Sequence, residues 1–527
     1  MLETTTKPSE TRGALFVAAG ILLSRVAGLI RLRAFAHYFG LQSDAADAFN
    51  AAFRIPNLLQ NLFGEGALSA SFIPVYASLV GRGDSREADR VAGAVGALLA
   101  LTTAVLVAAG VAGAPALTAV IAPGFSDGKR ELTILIVRVL FPGAGLLVLS
   151  AWCLGVLNSH RRFLLSYAAP VMWNAAMIAT LVVFGASTPL PRLAVLLAWG
   201  SVAGSALQFA VQLPAVLRVA PGLRFAIDRT SVHVRQVATN FVPVFVGRGV
   251  VQISAFVDTL IASLLPTGAV TGLANAQLLY TLPVSLFGMS VAAAELPAMA
   301  VAGGRDGSAR DALRQRLQAG LRRIAFFVVP SAIAFLAFGD VIAAALLQTG
   351  RFRSEDAVYV WGILAGSALG LLATTLGRLY SSAYYALHDT RTPLAFAIIR
   401  IFVSTIFGYF LAVHAPVALG LSRLWGAAGL TVSASAAGWI ELLLLRRALN
   451  ARIGPTGLPL AYVVTLWFLG LAAAAAGWAV RTVLPPLHPA IAAAAILGPF
   501  GAVYLGGTLW RGIPEATALS RRIRSRR

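Results

Sequence analysis

Arginines stand inside the apolar runs of this sequence, where a guanidinium surrounded by hydrocarbon would have nothing to bind. The stretch LLSRVAGLIRLRAFAHYFG (22–40) carries Arg25, Arg31 and Arg33, and Arg54, Arg138, Arg248 and Arg400 interrupt later runs. Asp47, Glu65, Asp258 and Glu295 are the acidic residues at similar depth. Counted from Gly13, Arg25 lies about 18 Å along its helix, just past mid-membrane. A central arginine costs ~2.5–3.5 kcal/mol even on the lower scales, so it should face a polar cavity or a partner. Arg31 and Arg33 stand nearer the helix end, where snorkelling to the headgroups is the competing role. At about 100° per residue the three could border one wide cavity but form no tight stripe. The chemistry that suits this cationic excess is anion binding, because the flat fork of arginine donors matches phosphate or pyrophosphate. Arg138 and Arg400 could equally neutralise acidic neighbours, and Glu295 could sit at an interface.

Nothing in the sequence suggests bond-making chemistry. The six histidines show no metal-ligand spacing, and the single cysteine, Cys153, sits in an apolar run, which excludes a disulfide framework. No catalytic constellation, metal site, cofactor motif or nucleotide-binding loop is present, so the expectation is a protein that is not an enzyme. Its work would draw on an ion gradient, the membrane potential or substrate flux.

The chain has 527 residues, 58% hydrophobic and only 12% charged. An ordinary soluble domain is about 25% charged. The apolar residues come in runs of about 20 separated by short arginine-bearing loops, which is the pattern of membrane-spanning helices. The fold expected is therefore an all-α polytopic membrane protein. Fourteen candidate spans can be placed, the first at 13–33 and the last at 488–510. The formal charge of +21 comes almost entirely from arginine, with Lys7 and Lys129 the only lysines. Loop arginines that set topology and meet anionic membrane lipids account for it better than nucleic acid does. Arginines cluster in the loops after even-numbered spans (Arg82, Arg86 and Arg90; Arg161 and Arg162; Arg446, Arg447 and Arg452), whereas LLPTGAVTG (264–272) has none. Both termini are thus expected in the cytoplasm. The polar segment 1–12 reads as a cytoplasmic lead rather than a cleavable signal.

An internal repeat organises the spans. SRVAGLIR (24–31) and GRGVVQIS (247–254) place Arg25 and Arg248 at equivalent positions, and Pro74 and Pro297 are separated by the same offset. LGVLNSHRRF (154–163) and YYALHDTRTP (384–393) agree more loosely, each a span end running into a basic turn. Six spans separate the copies, so the lobes should be related by a pseudo-twofold axis along the membrane normal. The expected organisation is a cytoplasmic segment (1–12), an N-lobe of six spans (13–216), a cytoplasmic linker (217–240), a C-lobe of six spans (241–445), two additional helices (446–510) and a basic cytoplasmic tail (511–527). Prolines 56, 74, 142, 170, 283, 297 and 393 fall in or beside spans, as fixed kinks or as bends that alternating access can use.

The segments SRVAGLIRLRAFAHYFG, DAFNAAFRIPNLL, FGEGALSASFIPVY, LGVLNSHRRFLLSYAAPVMWN, LPVSLFG and YYALHDTRTPLAF resemble the MurJ/MviN family of lipid II flippases, within the multidrug/oligosaccharidyl-lipid/polysaccharide exporter superfamily. The resemblance implies a two-lobed transporter of the bacterial inner (plasma) membrane. Such a transporter moves the undecaprenyl-pyrophosphate-linked glycopeptide by alternating access. The headgroup crosses through a cationic central cavity and the tail lies along the two additional helices. Arg25 and Arg31 match the family's first-helix cavity arginines. Asp47, Arg54, Asn57 and Glu65 match its second-helix pattern. The substrate-binding set expected is Arg25, Arg31, Arg54, Asn57 and Arg248, with Asp47, Glu65 and Asp258 tuning or gating it. The chain departs from the family at Gln60 and Leu278, where arginines are usual, and at Leu32, where an acid is frequent. These departures leave three alternatives open: a flippase for another polyprenyl-pyrophosphate-linked glycan, a cation-coupled drug exporter, or a non-transporting scaffold that holds cell-wall synthesis proteins together.

Overall fold

The structure is a computed structural model that describes residues 8–524 except 64, 227, 229, 230 and 303–306. Some side chains within helices also lie outside the described residues, those of Glu65 and Arg248 among them. Among the described residues helices make all the regular structure and no strand occurs. Among the described residues eleven helical segments are long and apolar enough to cross a membrane, and the bent pair Ser354–Ala368 and Leu371–Ala386 makes a twelfth. The expected first and seventh spans fall on Pro8–Phe39 and Val232–Ser263, each 32 residues long. Many side chains of these two helices lie outside the described residues, so the twelve spans are a count over the described residues alone.

The chain divides into two compact units, Met1–Gly268 with Thr349–Arg351, and Ala269–Gln348 with Phe352–Arg527. This boundary differs from the repeat-based one at 240/241 because helix Val232–Ser263 falls in the first unit. Its Phe241 and Phe245 rings lie 5.9 and 5.0 Å from that of Phe63.

Helix Asp127–Ser159 is the spine of the first unit. Ile136, Val137, Leu140 and Phe141 join an apolar cluster with Phe35, Phe49 and Leu197. Further along, Val148, Trp152 and Val156 join a second cluster with Phe72, Tyr76 and Val91. Polar side chains inside this core pair across helices, although Gln208 Oε1 and Gln212 Nε2 keep no hydrogen bond among the described residues. Ser150 Oγ donates to Gln212 Oε1 at 2.7 Å and accepts from Gln208 Nε2 at 2.8 Å.

The second unit shows how a broken span is kept satisfied. Helices Ser354–Ala368 and Leu371–Ala386 meet at 43°, which loosens backbone bonds around residues 366–370. Helix Gly426–Ile453 supplies the missing donors from one face, at i, i+4 and i+8. Thr431 Oγ1 donates to Ile363 O (2.8 Å), Ser435 Oγ to Gly366 O (2.7 Å) and Trp439 Nε1 to Leu369 O (2.9 Å). The approach is so close that a Cβ on Gly370 would lie 2.6 Å from Ser435 Cα. The two additional helices, Leu460–Val483 and Pro489–Trp510, pack on helix Gly307–Leu347. Arg481 grips Asp340 with two donors, at 3.2 and 2.6 Å, and Tyr504 donates to Phe326 O at 2.8 Å.

Two glycines test this packing. Gly370→Ala drives its Cβ into backbone and is expected to lose about 1–3 kcal/mol. Gly498→Ala, where no atom lies within 4 Å, is expected to gain ~0.5–1 kcal/mol from helix propensity. Thermal unfolding of the purified variants should thus shift in opposite directions. A second prediction concerns Asp389, in the turn before helix Arg391–Tyr409. It accepts from the Thr392 backbone N–H and hydroxyl and from Arg452, and these hold its carboxyl down to about 2. A depressed carboxylate stabilises the fold above its unfolded value of about 3.9 and loses that contribution only as pH falls through the folded one. Between pH 8 and pH 4 this turn should therefore show unchanged amide exchange protection, with loss confined to lower pH. Asp389→Asn should show the weakened protection at neutral pH already.

Candidate functional site

In the first unit, an aromatic column rises from the end of helix Pro8–Phe39 and terminates at a guanidinium. Phe39 stacks on Phe35 (4.5 Å between centroids), Phe35 meets Phe49 (5.5 Å), Phe49 stacks on Phe53 (5.3 Å), and Phe53 lies parallel to Trp173 (5.5 Å, 8°). These rings are one helical turn apart along their own elements, so each helix offers a continuous face. The Arg31 guanidinium carbon lies 5.3 Å from the centroids of both Phe53 and Trp173, within cation–π range.

Each partner of Arg31 is itself held. Arg31 Nε donates to Asn174 Oδ1 at 3.0 Å, and the Asn174 amide donates to Pro170 O at 3.0 Å. Trp173 Nε1 donates to Ser201 Oγ at 3.0 Å. A guanidinium has five N–H donors. Nε–H is spent on Asn174, and no carboxylate pairs with Arg31 among the described residues. The terminal N–H groups of a pre-positioned cation therefore remain for a ligand that accepts several hydrogen bonds. Neither Asn174 nor the two rings were foreseen, since a contact between such distant parts of the chain leaves no local signal.

The other expected residues fall in different settings. Arg54 is half-buried two turns beyond Asp47 on helix Asp44–Phe63, and the carboxylate whose charge reaches it is Asp258. Arg25 and Asn57 are exposed. The side chains of Arg248 and Glu65 lie outside the described residues. Asp47 is buried at the start of its helix, where the first-turn amides favour a carboxylate. Its Oδ2 accepts from Lys129 Nζ and from Gly268 N, each at 2.9 Å. Asp44 joins the cluster, 3.2 Å from Lys129, and Lys129 also lies 4.3 Å over the Phe125 ring. The geometry of Asp47 is that of a helix-end clamp.

The second unit holds its own charged cluster inside the spans. Arg400 Nε lies 3.2 Å from Glu441 Oε2, the neutralising arrangement weighed for Arg400. Arg378 lies within electrostatic reach of both residues and of Tyr280. Two guanidiniums against one carboxylate leave a net positive charge in a lobe that has Leu278 where an arginine was expected. Arg378 was overlooked, although an arginine within the apolar run 356–386 is the same signal that singled out Arg25. Glu295 pairs with Arg323 at 3.2 Å, and Arg138 is exposed. Among the described residues no group of histidine, cysteine, aspartate or glutamate could hold a metal ion.

Comparison with known proteins places this architecture. The family model described as lipid II flippase MurJ matches residues 35–486. The lipid II flippase MurJ of Burkholderia cenocepacia is 34% identical over 448 residues, 84% of each chain. The probable lipid II flippase MurJ of Vibrio cholerae is 30% identical over 467 residues, 85% of each chain. In fold, the chain is similar to a lipid II flippase MurJ in an inward closed conformation, with a TM-score of 0.76 at 22% identity, covering 94% of this chain and 98% of that one. An inward-facing multidrug transporter of the MATE family and MOP superfamily gives a TM-score of 0.64 at 17% identity, covering 83% and 98%. With the family model matching most of its length, this chain belongs to the lipid II flippase MurJ family.

Proposed function

We propose that this protein carries lipid II, the undecaprenyl-pyrophosphate-linked disaccharide-pentapeptide, from the inner to the outer leaflet of the bacterial inner membrane by alternating access, with both termini in the cytoplasm. The observation that carries the reading is Arg31: a guanidinium oriented by Asn174 and two parallel rings, with no carboxylate partner and with its terminal donors uncommitted among the described residues. A pyrophosphate is an acceptor-rich dianion that such a fork can grip. Arg25, Arg54 and Asn57 would add donors from the same unit, with Asp258 moderating the charge of Arg54. Arg248 and Glu65 would contribute from their helices, and Asp47 would hold the start of the second helix in place. Arg378 and Arg400, only partly balanced by Glu441, would give the second unit an anion-attracting site of its own. No bond is made or broken, and an ion gradient, membrane potential or substrate flux would drive the cycle.

A flippase for another polyprenyl-pyrophosphate-linked glycan is favoured by one observation, the absence of arginine at Gln60 and Leu278. The pyrophosphate contacts are the same in both readings, and only the glycopeptide contacts differ. A drug exporter for organic cations would want an acidic pocket, which the arginine surplus in both units opposes.

Complementation tests the proposal. In a bacterium depleted of its own lipid II flippase, the native chain should restore growth. Arg31→Ala, at equal membrane level, should plate on the order of 100-fold less efficiently, since two lost charge-assisted bonds of ~1.5 kcal/mol each correspond to that factor. Arg31→Lys should fall between, keeping the charge but losing the fork. Growth with Arg31→Ala equal to the native chain would contradict the proposed role. Rescue by Gln60→Arg alone would shift the substrate to another lipid-linked glycan.

A further inference from the structure

Helix Asp127–Ser159 ends in a turn whose chemistry is unexpected. Arg162 N–H returns to Leu157 O at 2.9 Å and Arg161 N–H to Asn158 O at 3.0 Å, the paired bonds of a Schellman cap. The residue that must turn left-handed in this motif is usually glycine, yet here it is Arg161, at φ 60°. A side chain held in that conformation at a cost invites a functional explanation. Arg161 and Arg162 open onto a cavity of about 420 Å³, with Arg218 from the end of helix Leu190–Val219 and a wall of Leu164, Leu165 and Val219. That volume lies within the ~300–1,000 Å³ range of small-ligand sites. Among the described residues no acidic side chain lines it and none of the three arginines has an ion-pair partner.

The second unit supplies an internal comparison. The corresponding turn of the sequence repeat uses the same cap: His388 at φ 59°, with His388 N–H to Tyr385 O at 3.0 Å and Asp389 N–H to Tyr384 O at 2.9 Å. There the cap position that Arg162 fills is taken by Asp389, which pairs with Arg452 at 2.7 Å. One turn neutralises itself, whereas the other gathers positive charge beside apolar surface. The same edge continues into exposed leucines, Leu164 at 48% and Leu217 at 46%.

We propose that the pocket of Arg161, Arg162 and Arg218 binds the phosphate of an anionic phospholipid of the inner leaflet, with the first carbons of its acyl chains against Leu164, Leu165 and Val219. The apolar wall selects a lipid over free phosphate, and the unbalanced arginines select an anionic headgroup over a zwitterionic one. The site rests on the orientation proposed above, which puts these turns on the cytoplasmic side, but it does not depend on which glycan the protein carries.

The test is lipid binding by the purified full-length chain, measured by native mass spectrometry from micelles doped with phosphatidylglycerol or phosphatidylcholine, with inorganic phosphate as competitor. Phosphatidylglycerol should be retained at least about tenfold better than phosphatidylcholine, and millimolar phosphate should not displace it. Each arginine replaced by glutamine should weaken retention about five-fold, since a basic residue near an anionic surface contributes by about that factor. Arg161→Gly guards against a folding artefact: glycine suits the left-handed turn, so thermal stability should hold or rise while lipid retention falls. Arg310→Gln/Arg314→Gln, which removes two charges elsewhere, should leave the preference intact. Equal retention of both lipids, displacement by inorganic phosphate, or native retention by the Arg161→Gln/Arg162→Gln/Arg218→Gln variant would each overturn the proposal. Lipid retention is read without transport, so failure here and failure to move lipid II are separate results.

Discussion

Hydrocarbon offers no hydrogen bonds, so a polar group placed within the spans is stabilised by a partner elsewhere in the chain. That constraint explains features that would otherwise look unrelated. Helix Gly426–Ile453 lends Thr431, Ser435 and Trp439 to the carbonyls of a bent neighbour. Ser150 sits between two glutamines in the core of the first unit. Arg400 finds Glu441, and Arg481 finds Asp340. Each of these residues has a polar or charged partner within its own unit, which makes the packing specific.

Arg31 departs from the pattern in a directed way. Among the described residues its neighbours fix where the guanidinium points but leave its terminal donors unspent, and two stacked aromatic rings stand where a structural arginine would have taken a carboxylate. Rings attract a cation without neutralising it. The charge is thus held in place and still available, which is what reversible binding of a pyrophosphate requires: enough attraction to capture it, and no permanent counter-ion to displace. The second unit reaches a milder version with Arg378 and Arg400 against one carboxylate.

The span-length apolar runs and their arginine-bearing loops made the helical membrane fold legible in the sequence, because hydrophobic length is a local property. The depth expected for Arg25, Arg31 and Arg54 rests on the same local property. What holds Arg31 was not: Asn174 and Trp173 belong to a helix far along the chain, and no periodicity links them to the first helix. Asp47 looked like a charge within a span until Lys129 and Gly268 closed around it. The unit boundary was also hidden. The repeat placed helix Val232–Ser263 with the later lobe, whereas packing of Phe241 and Phe245 on Phe63 places it with the earlier one. Sequence repeats report ancestry of segments, and packing decides which segments share a core.

The central claim is that an oriented, unneutralised Arg31 carries lipid II across the membrane. Its most direct test is translocation by the purified chain in proteoliposomes, read as the rate at which lipid II becomes accessible to an external binding reagent. The account predicts protein-dependent exposure of lipid II, slowed at least about tenfold by Arg31→Ala at equal reconstitution. No exposure above protein-free vesicles, or an undiminished rate with Arg31→Ala, would contradict it.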